Sequence, residues 1–174
     1  MIDPSFCYHE LKTKSVSTTN MFHTKFNSLN WLPYFSWTTS PLPRSVIESE
    51  PVLQTLDKEF KIAQLGFLKI KDNRCYKWHV DGNRGVAINM LITPNVHSHC
   101  LFGDKNLLQN HQGFQTDVIE LKYSPDTFYV FNTQWPHSVI TFDEPRYLFS
   151  VEFARDKNSL TYNEVKEWVV SNNL

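Results

Sequence analysis

Between Leu65 and Phe153 the chain is a succession of short runs rich in β-branched and aromatic residues, each closed by turn residues. No other feature limits its possible folds as strongly. The runs are Leu65–Lys71, Cys75–Val80, Val86–Thr93, Cys100–Gly103, Val118–Tyr123, Thr127–Asn132, Ser138–Phe142 and Tyr147–Phe153. Helical spacing flanks them on both sides. Val52, Leu53, Leu56 and Phe60 recur behind Pro51, with Ser49 as a candidate cap. Val165, Trp168 and Val169 follow Thr161 and Glu164, which form a capping box. About eight short strands between two helices predict a mainly β fold, a sandwich or jelly roll, rather than an alternating βαβ fold. GxGxxG and GxxxxGK are both absent, which argues further against a nucleotide-binding α/β domain.

At 174 residues the chain is expected to form one domain. It is divided into a jelly-roll core at 65–153, an N-terminal arm and helix at 1–64, and a C-terminal helix at 161–171. The aromatic, Pro-rich stretch from Trp31 to Pro43 reads as an ordered packing arm. Asn95 to Gln115 has weak periodicity and reads as a long hairpin excursion. Seventeen Lys and Arg against eighteen Asp and Glu leave a net charge of -1, so no basic excess drives general nucleic-acid binding. Apolar runs fall far short of the ~20 residues of a membrane helix. The first residues carry no signal-peptide pattern, and Cys7, Cys75 and Cys100 are scattered without a CxxC pair. A soluble, cytoplasmic protein is the expectation.

The chemistry is concentrated in Tyr76-Lys77-Trp78-His79-Val80-Asp81-Gly82-Asn83-Arg84. His79 and Asp81 are two residues apart, so at a strand end both side chains lie on one face. His137 opens a later strand. Two imidazoles and one carboxylate on one face of a metal leave three coordination sites open. Taken alone, Asp81-Gly82 is also a hairpin-turn dipeptide and a lone His is commonly structural. Arg146 strengthens the metal reading. It follows His137 by nine residues across a strand and turn, and its fork geometry suits a dicarboxylate. On the same strand Arg146, Leu148, Ser150 and Glu152 share one parity, while Tyr147, Phe149, Val151 and Phe153 share the core parity.

This pattern of HxD, His about 56 residues later and Arg at plus nine resembles the iron(II)/2-oxoglutarate-dependent oxygenases. Tyr76, three residues before His79, is similar to the prolyl hydroxylase-like members, and Arg84 to Leu91 resembles the aspartyl/asparaginyl hydroxylase branch. Leu148 stands where many members have Ser. The resemblance covers about Leu65 to Phe153. It implies a double-stranded β-helix in which His79, Asp81 and His137 hold iron(II). Arg146 would pair with the far carboxylate of 2-oxoglutarate, with Tyr76 a candidate partner for the same group. O2 would take the remaining site, and decarboxylation of 2-oxoglutarate would be coupled to C–H hydroxylation of a small molecule or amino-acid side chain. Asn89 and Arg84 are further candidates for cosubstrate or substrate contact.

Two other readings stand beside this one. One is a jelly-roll binding module that performs no oxidation. The other is a cupin-type metalloprotein using the His97-Ser98-His99 pair. His9, His23 and His111 lack metal-like spacing, Trp78 is expected to pack away from the His79 face, and Trp135 is a candidate for the pocket mouth.

Overall fold

The computed structural model describes residues 2–35, 37–109 and 116–174. Its eleven strands form two antiparallel sheets. The strands are β1 (Tyr8–Lys14), β2 (Leu32–Tyr34), β3 (Trp37–Pro41), β4 (Ile62–Ile70), β5 (Arg74–His79) and β6 (Ala87–Leu91). Then follow β7 (Ser98–Gly103), β8 (Val118–Glu120), β9 (Thr127–Phe131), β10 (His137–Thr141) and β11 (Arg146–Phe153). The larger sheet has the order β1-β9-β6-β11-β4-β3-β2 and the smaller one β5-β10-β7-β8. This is the jelly-roll architecture expected of the strand pattern, with three strands more than expected. All three lie in the first 64 residues, which are not simply an arm and a helix. β1 pairs with β9, and the β2–β3 hairpin joins β4.

Four helices, α1 (Thr18–Lys25), α2 (Ser45–Ser49), α3 (Pro51–Phe60) and α4 (Tyr162–Ser171), cover the outer face of the larger sheet. Strand alternation supplies that face: Ile88, Met90, Phe128, Val130, Phe149 and Val151 meet Phe22, Leu53, Leu56 and Val165. Full burial of each such side chain contributes about 1.5–3 kcal/mol. α3 starts at Pro51 as expected, but Ser49 does not cap it, since Ser49 Oγ donates to Val46 O at 2.9 Å. The residue before the helix is Glu50, whose carboxylate turns to the start of α1 and accepts from Ser15, Val16, Ser17 and Thr18. Half of the capping box expected at α4 forms: Thr161 Oγ1 accepts from Glu164 N–H at 3.2 Å, while the Glu164 carboxylate accepts from Arg155 instead.

The second cluster, including Leu91, Cys100, Phe102, Tyr129, Phe131 and Val139, fills the space between the sheets. Within the expected excursion, residues 104–109 form turns after β7, while 110–115, including His111, lie outside the described residues. Among the described residues no helix is long and apolar enough to cross a membrane.

Candidate metal centre

His79 and His137 face each other across the β5–β10 ladder, where they are register partners. Their ring centroids are 4.2 Å apart. Two residues further along β10, Val139 is opposite Tyr76, so β5 carries one extra residue between Tyr76 and His79. That bulge changes the parity of the strand. Tyr76 and His79, which would point to opposite faces of a regular strand, both face the inter-sheet space and meet edge-to-face at 4.3 Å. Trp78 lies on the other side, against Gly103, as expected.

Each imidazole is oriented in the same way. His79 Nδ1 bonds to Lys77 O at 2.8 Å and His137 Nδ1 to Trp135 O at 2.9 Å, in each case the carbonyl two residues earlier. Donation from Nδ1 leaves both Nε2 lone pairs to face a common point. Asp81 completes that point. Its Oδ1 is 3.7 Å from His79 Nε2 and 3.9 Å from His137 Nε2. The three potential ligand atoms lie within 4.8 Å of one another. Burial pushes the His137 imidazole down to about pKa 4, and His79 beside it adds to the effect. It is therefore neutral near pH 7, the form that binds a metal.

Asp81 is not a hairpin-turn residue. Its N–H donates to Thr133 O at 2.9 Å, and Gln134 Nε2 ties Asp81 O and Arg84 O together at 2.8 and 2.7 Å. Arg84 Nε and Nη2 both reach Asp81 Oδ2, at 2.7 and 2.6 Å. One carboxylate oxygen is thus held by the guanidinium and the other is presented to the imidazoles.

Arg146, at the start of β11, is 3% exposed. Its Nη1 donates to Ser98 Oγ on β7 at 2.8 Å, and its guanidinium carbon lies 5.4 Å from the Tyr123 ring centre. No carboxylate of the described residues pairs with it. A buried cation without a counter-ion is costly, and an anionic ligand relieves that cost.

One cavity between the sheets is lined by Tyr76, His79, Asp81, Arg84, Asn89, His137 and Arg146, the seven residues that the sequence offers for the iron, cosubstrate or substrate of the oxygenase reading. The shared parity on β11 holds as well, since Leu148 and Ser150 also face this cavity. Trp37, Cys100 and Tyr123 line it too, and sequence reasoning missed them as site residues. Three buried side-chain atoms of the described residues lack a hydrogen-bond partner: Trp37 Nε1, Asn89 Oδ1 and the Tyr123 hydroxyl, the last beside the Cys100 thiol. All three residues line this cavity. Orphaned polar atoms around a buried cation mark a place built for a polar ligand. Burial raises the Tyr123 phenol well above its ordinary pKa, so it remains a donor.

Other candidates lie elsewhere. His97 pairs with Asp143 at 3.0 Å and Glu144 at 3.5 Å, and His99 pairs with Glu120. They do not converge with each other on a metal position; among the described residues only His79, Asp81 and His137 form such a group. Trp135 does not line the cavity. It stacks on Phe6 at 5.7 Å and donates to Gly103 O at 2.7 Å.

No protein-family model matches the chain, and no curated protein matches it in sequence. Solved structures do match in fold. The Pseudomonas putida prolyl-4-hydroxylase is 10% identical with a TM-score of 0.58, over 88% of this chain and 95% of that one. The viral collagen prolyl hydroxylase vCPH from Paramecium Bursaria Chlorella virus-1, solved with 2OG, is 9% identical with a TM-score of 0.57, over 84% and 94%. HygX from Streptomyces hygroscopicus, solved with nickel, 2-oxoglutarate and hygromycin B, is 10% identical with a TM-score of 0.56, over 87% and 84%. The fold is therefore that of 2-oxoglutarate/Fe(II) oxygenase structures.

Proposed function

We propose that the protein is an iron(II)- and 2-oxoglutarate-dependent dioxygenase that hydroxylates a small molecule or amino-acid-type group. The observation that carries this reading is the convergence of His79 Nε2, Asp81 Oδ1 and His137 Nε2 in the cavity that also buries Arg146. Two imidazoles and one carboxylate are the donor set suited to non-haem iron(II) with open positions. Iron(II) held by His79, Asp81 and His137 would supply, with 2-oxoglutarate and O2 as co-reactants, the oxidising power for C–H hydroxylation, with succinate and carbon dioxide as co-products.

The chain's own residues do the positioning. The carbonyls of Lys77 and Trp135 fix the two imidazoles, and Arg84 fixes the carboxylate between them. Arg146 attracts the far carboxylate of 2-oxoglutarate, with Ser98 holding the guanidinium in place. The protonated Tyr123 hydroxyl lies beside that guanidinium as a further donor, and Asn89 Oδ1 remains an acceptor on the cavity wall. Phe131, Val139 and Leu148 limit water around the reacting centre.

Anaerobic protein given iron(II) and 2-oxoglutarate is expected to develop a visible charge-transfer band. Admitting oxygen should bleach it and release succinate. Arg146→Ala should weaken 2-oxoglutarate binding by about 10–100-fold, matching the loss of charged hydrogen bonds. Its iron affinity should change much less. Wild-type protein that binds neither iron nor 2-oxoglutarate would refute the proposal.

A further inference from the structure

The larger sheet has three more strands than the smaller one, and its inner face continues past β5 as an open trough. Thr39, Gln64, Ser150 and Glu152 form part of its floor and sides. The trough runs into the metal-ligand group along one aromatic wall. From solvent inward, successive ring centroids are 4.9 Å apart for Phe35–Tyr34, 6.3 Å for Tyr34–Trp37, 4.8 Å for Trp37–Tyr76 and 4.3 Å for Tyr76–His79. Phe35, at the outer end, is 88% exposed.

Three charged side chains line this passage besides the imidazole of His79: Asp81, Arg84 and Glu152. The charges of Asp81 and Arg84 are matched to each other at 2.6 Å. Glu152 accepts only from the neutral amide Gln64 Nε2, at 2.7 Å, and no cation of the described residues pairs with it. The passage thus carries one uncompensated negative charge, and Tyr34 and Trp37 line the passage together with Glu152. A carboxylate next to aromatic faces attracts an ammonium group through both charge and ring quadrupole. It repels an anion. At the junction of trough and cavity, Trp37 Nε1 is a buried donor with no acceptor, which a carbonyl or hydroxyl of a ligand would satisfy.

We infer that the trough is the substrate subsite and that it selects an amine-bearing, cationic substrate. The ammonium lies at Glu152 against Tyr34 and Trp37, and a neighbouring carbonyl or hydroxyl accepts from Trp37 Nε1. The inference rests on the dioxygenase reading for its use of the word substrate; the binding chemistry is testable apart from it. The test titrates two probes of matched shape, N-acetyl-lysine methylamide and N-acetyl-norleucine methylamide. Each is measured by calorimetry against the full chain, both metal-free and loaded with zinc(II) and 2-oxoglutarate so that no turnover occurs.

The lysine probe is expected to bind about tenfold more tightly than the norleucine probe, the size of one well-placed cation–aromatic and ionic contact. Glu152→Gln should bring that ratio below about threefold, and Tyr34→Leu should lower it partly, while zinc and 2-oxoglutarate affinities stay unchanged. Equal binding of the two probes to wild type overturns the inference, as does a preference that survives Glu152→Gln. Protein that prefers the lysine probe but binds no metal or 2-oxoglutarate would instead overturn the dioxygenase reading alone.

Discussion

The two faces of the larger sheet solve opposite problems with the same strands. On β6, Ile88 and Met90 point outward to the helices while Asn89 points inward. On β11, Phe149 and Val151 point outward, and Arg146, Leu148 and Ser150 line the cavity. The contrast extends to how polar groups are treated. In the helical layer the buried Glu50 carboxylate takes six hydrogen bonds, from Ser15 Oγ, Val16 N, both donors of Ser17 and both of Thr18. In the cavity Asn89 Oδ1, Trp37 Nε1 and the Tyr123 hydroxyl have none. One face is satisfied by the protein itself; the other leaves its bonding capacity for a ligand, as functional sites commonly do.

The largest expected effect comes from damaging the satisfied face. Phe149 is fully buried against Phe67 and Phe128, and Phe149→Ala should destabilise by about 3–5 kcal/mol in urea unfolding. A loss below about 1 kcal/mol would erase the distinction between the faces.

Glu50→Ala comes next, at about 2–3 kcal/mol, because buried donors at the start of α1 lose their acceptor. Burial alone would raise the Glu50 pKa, but the bonds from Ser15, Val16, Thr18 and Ser17 together outweigh it and hold the carboxyl below its ordinary range. A carboxylate with a lowered folded-state pKa contributes stability that is complete above its unfolded value, about 4.3, and lost as pH falls through the folded one. Below about pH 4.3 wild type should therefore lose stability more steeply than Glu50→Gln, which can be followed by thermal unfolding across pH.

His137→Ala should behave in the opposite way. Metal affinity should fall more than about a hundredfold. In urea unfolding the metal-free variant should lose only about 1–2 kcal/mol, less than Phe149→Ala, because the ring's Nε2 has no partner in the fold while its Nδ1 bond to Trp135 O and its contacts with Phe102 and Phe131 are lost. The smallest effect is Asn89→Leu. Removing an unpartnered acceptor should leave stability unchanged or raise it by up to about 1 kcal/mol, with 2-oxoglutarate or substrate affinity reduced. A clear destabilisation would show that Asn89 serves the fold after all.

The outer face was the more legible of the two in sequence, because alternation and helical spacing are local signals. The strands from β4 to β11 and the helices α3 and α4 follow from them. β1 and α1 were missed for the same reason. Tyr-His-Glu-Leu-Lys-Thr-Lys buries only Leu11, and Thr18–Lys25 buries only Thr18 and Phe22, so neither carries a clear apolar stripe. Both are held by partners distant in sequence. In the cavity the ligand group and Arg146 were legible as spacing, yet Trp37, Ser98 and Tyr123 were not. They enter from a hairpin, a strand start and a loop that the topology alone brings together. The aromatic density of Trp31 to Pro43 was a usable signal, since one of its rings became a cavity wall.

The pairing of β1 with β9 brings Tyr8 opposite Phe131. A chain made from its N-terminus at about 5–20 residues per second must wait several seconds before that partner exists. Until then β1 is an unpaired edge, and neither the sheet nor the space beneath it can close. His137 and Arg146 emerge later still. The candidate metal centre therefore assembles only after β10 and the start of β11 have been made, and long-range pairing of this kind sets a slow pace for folding. Removing β1 would leave β9 as a bare edge, so this one strand governs when the sheet closes as well as how it looks once closed.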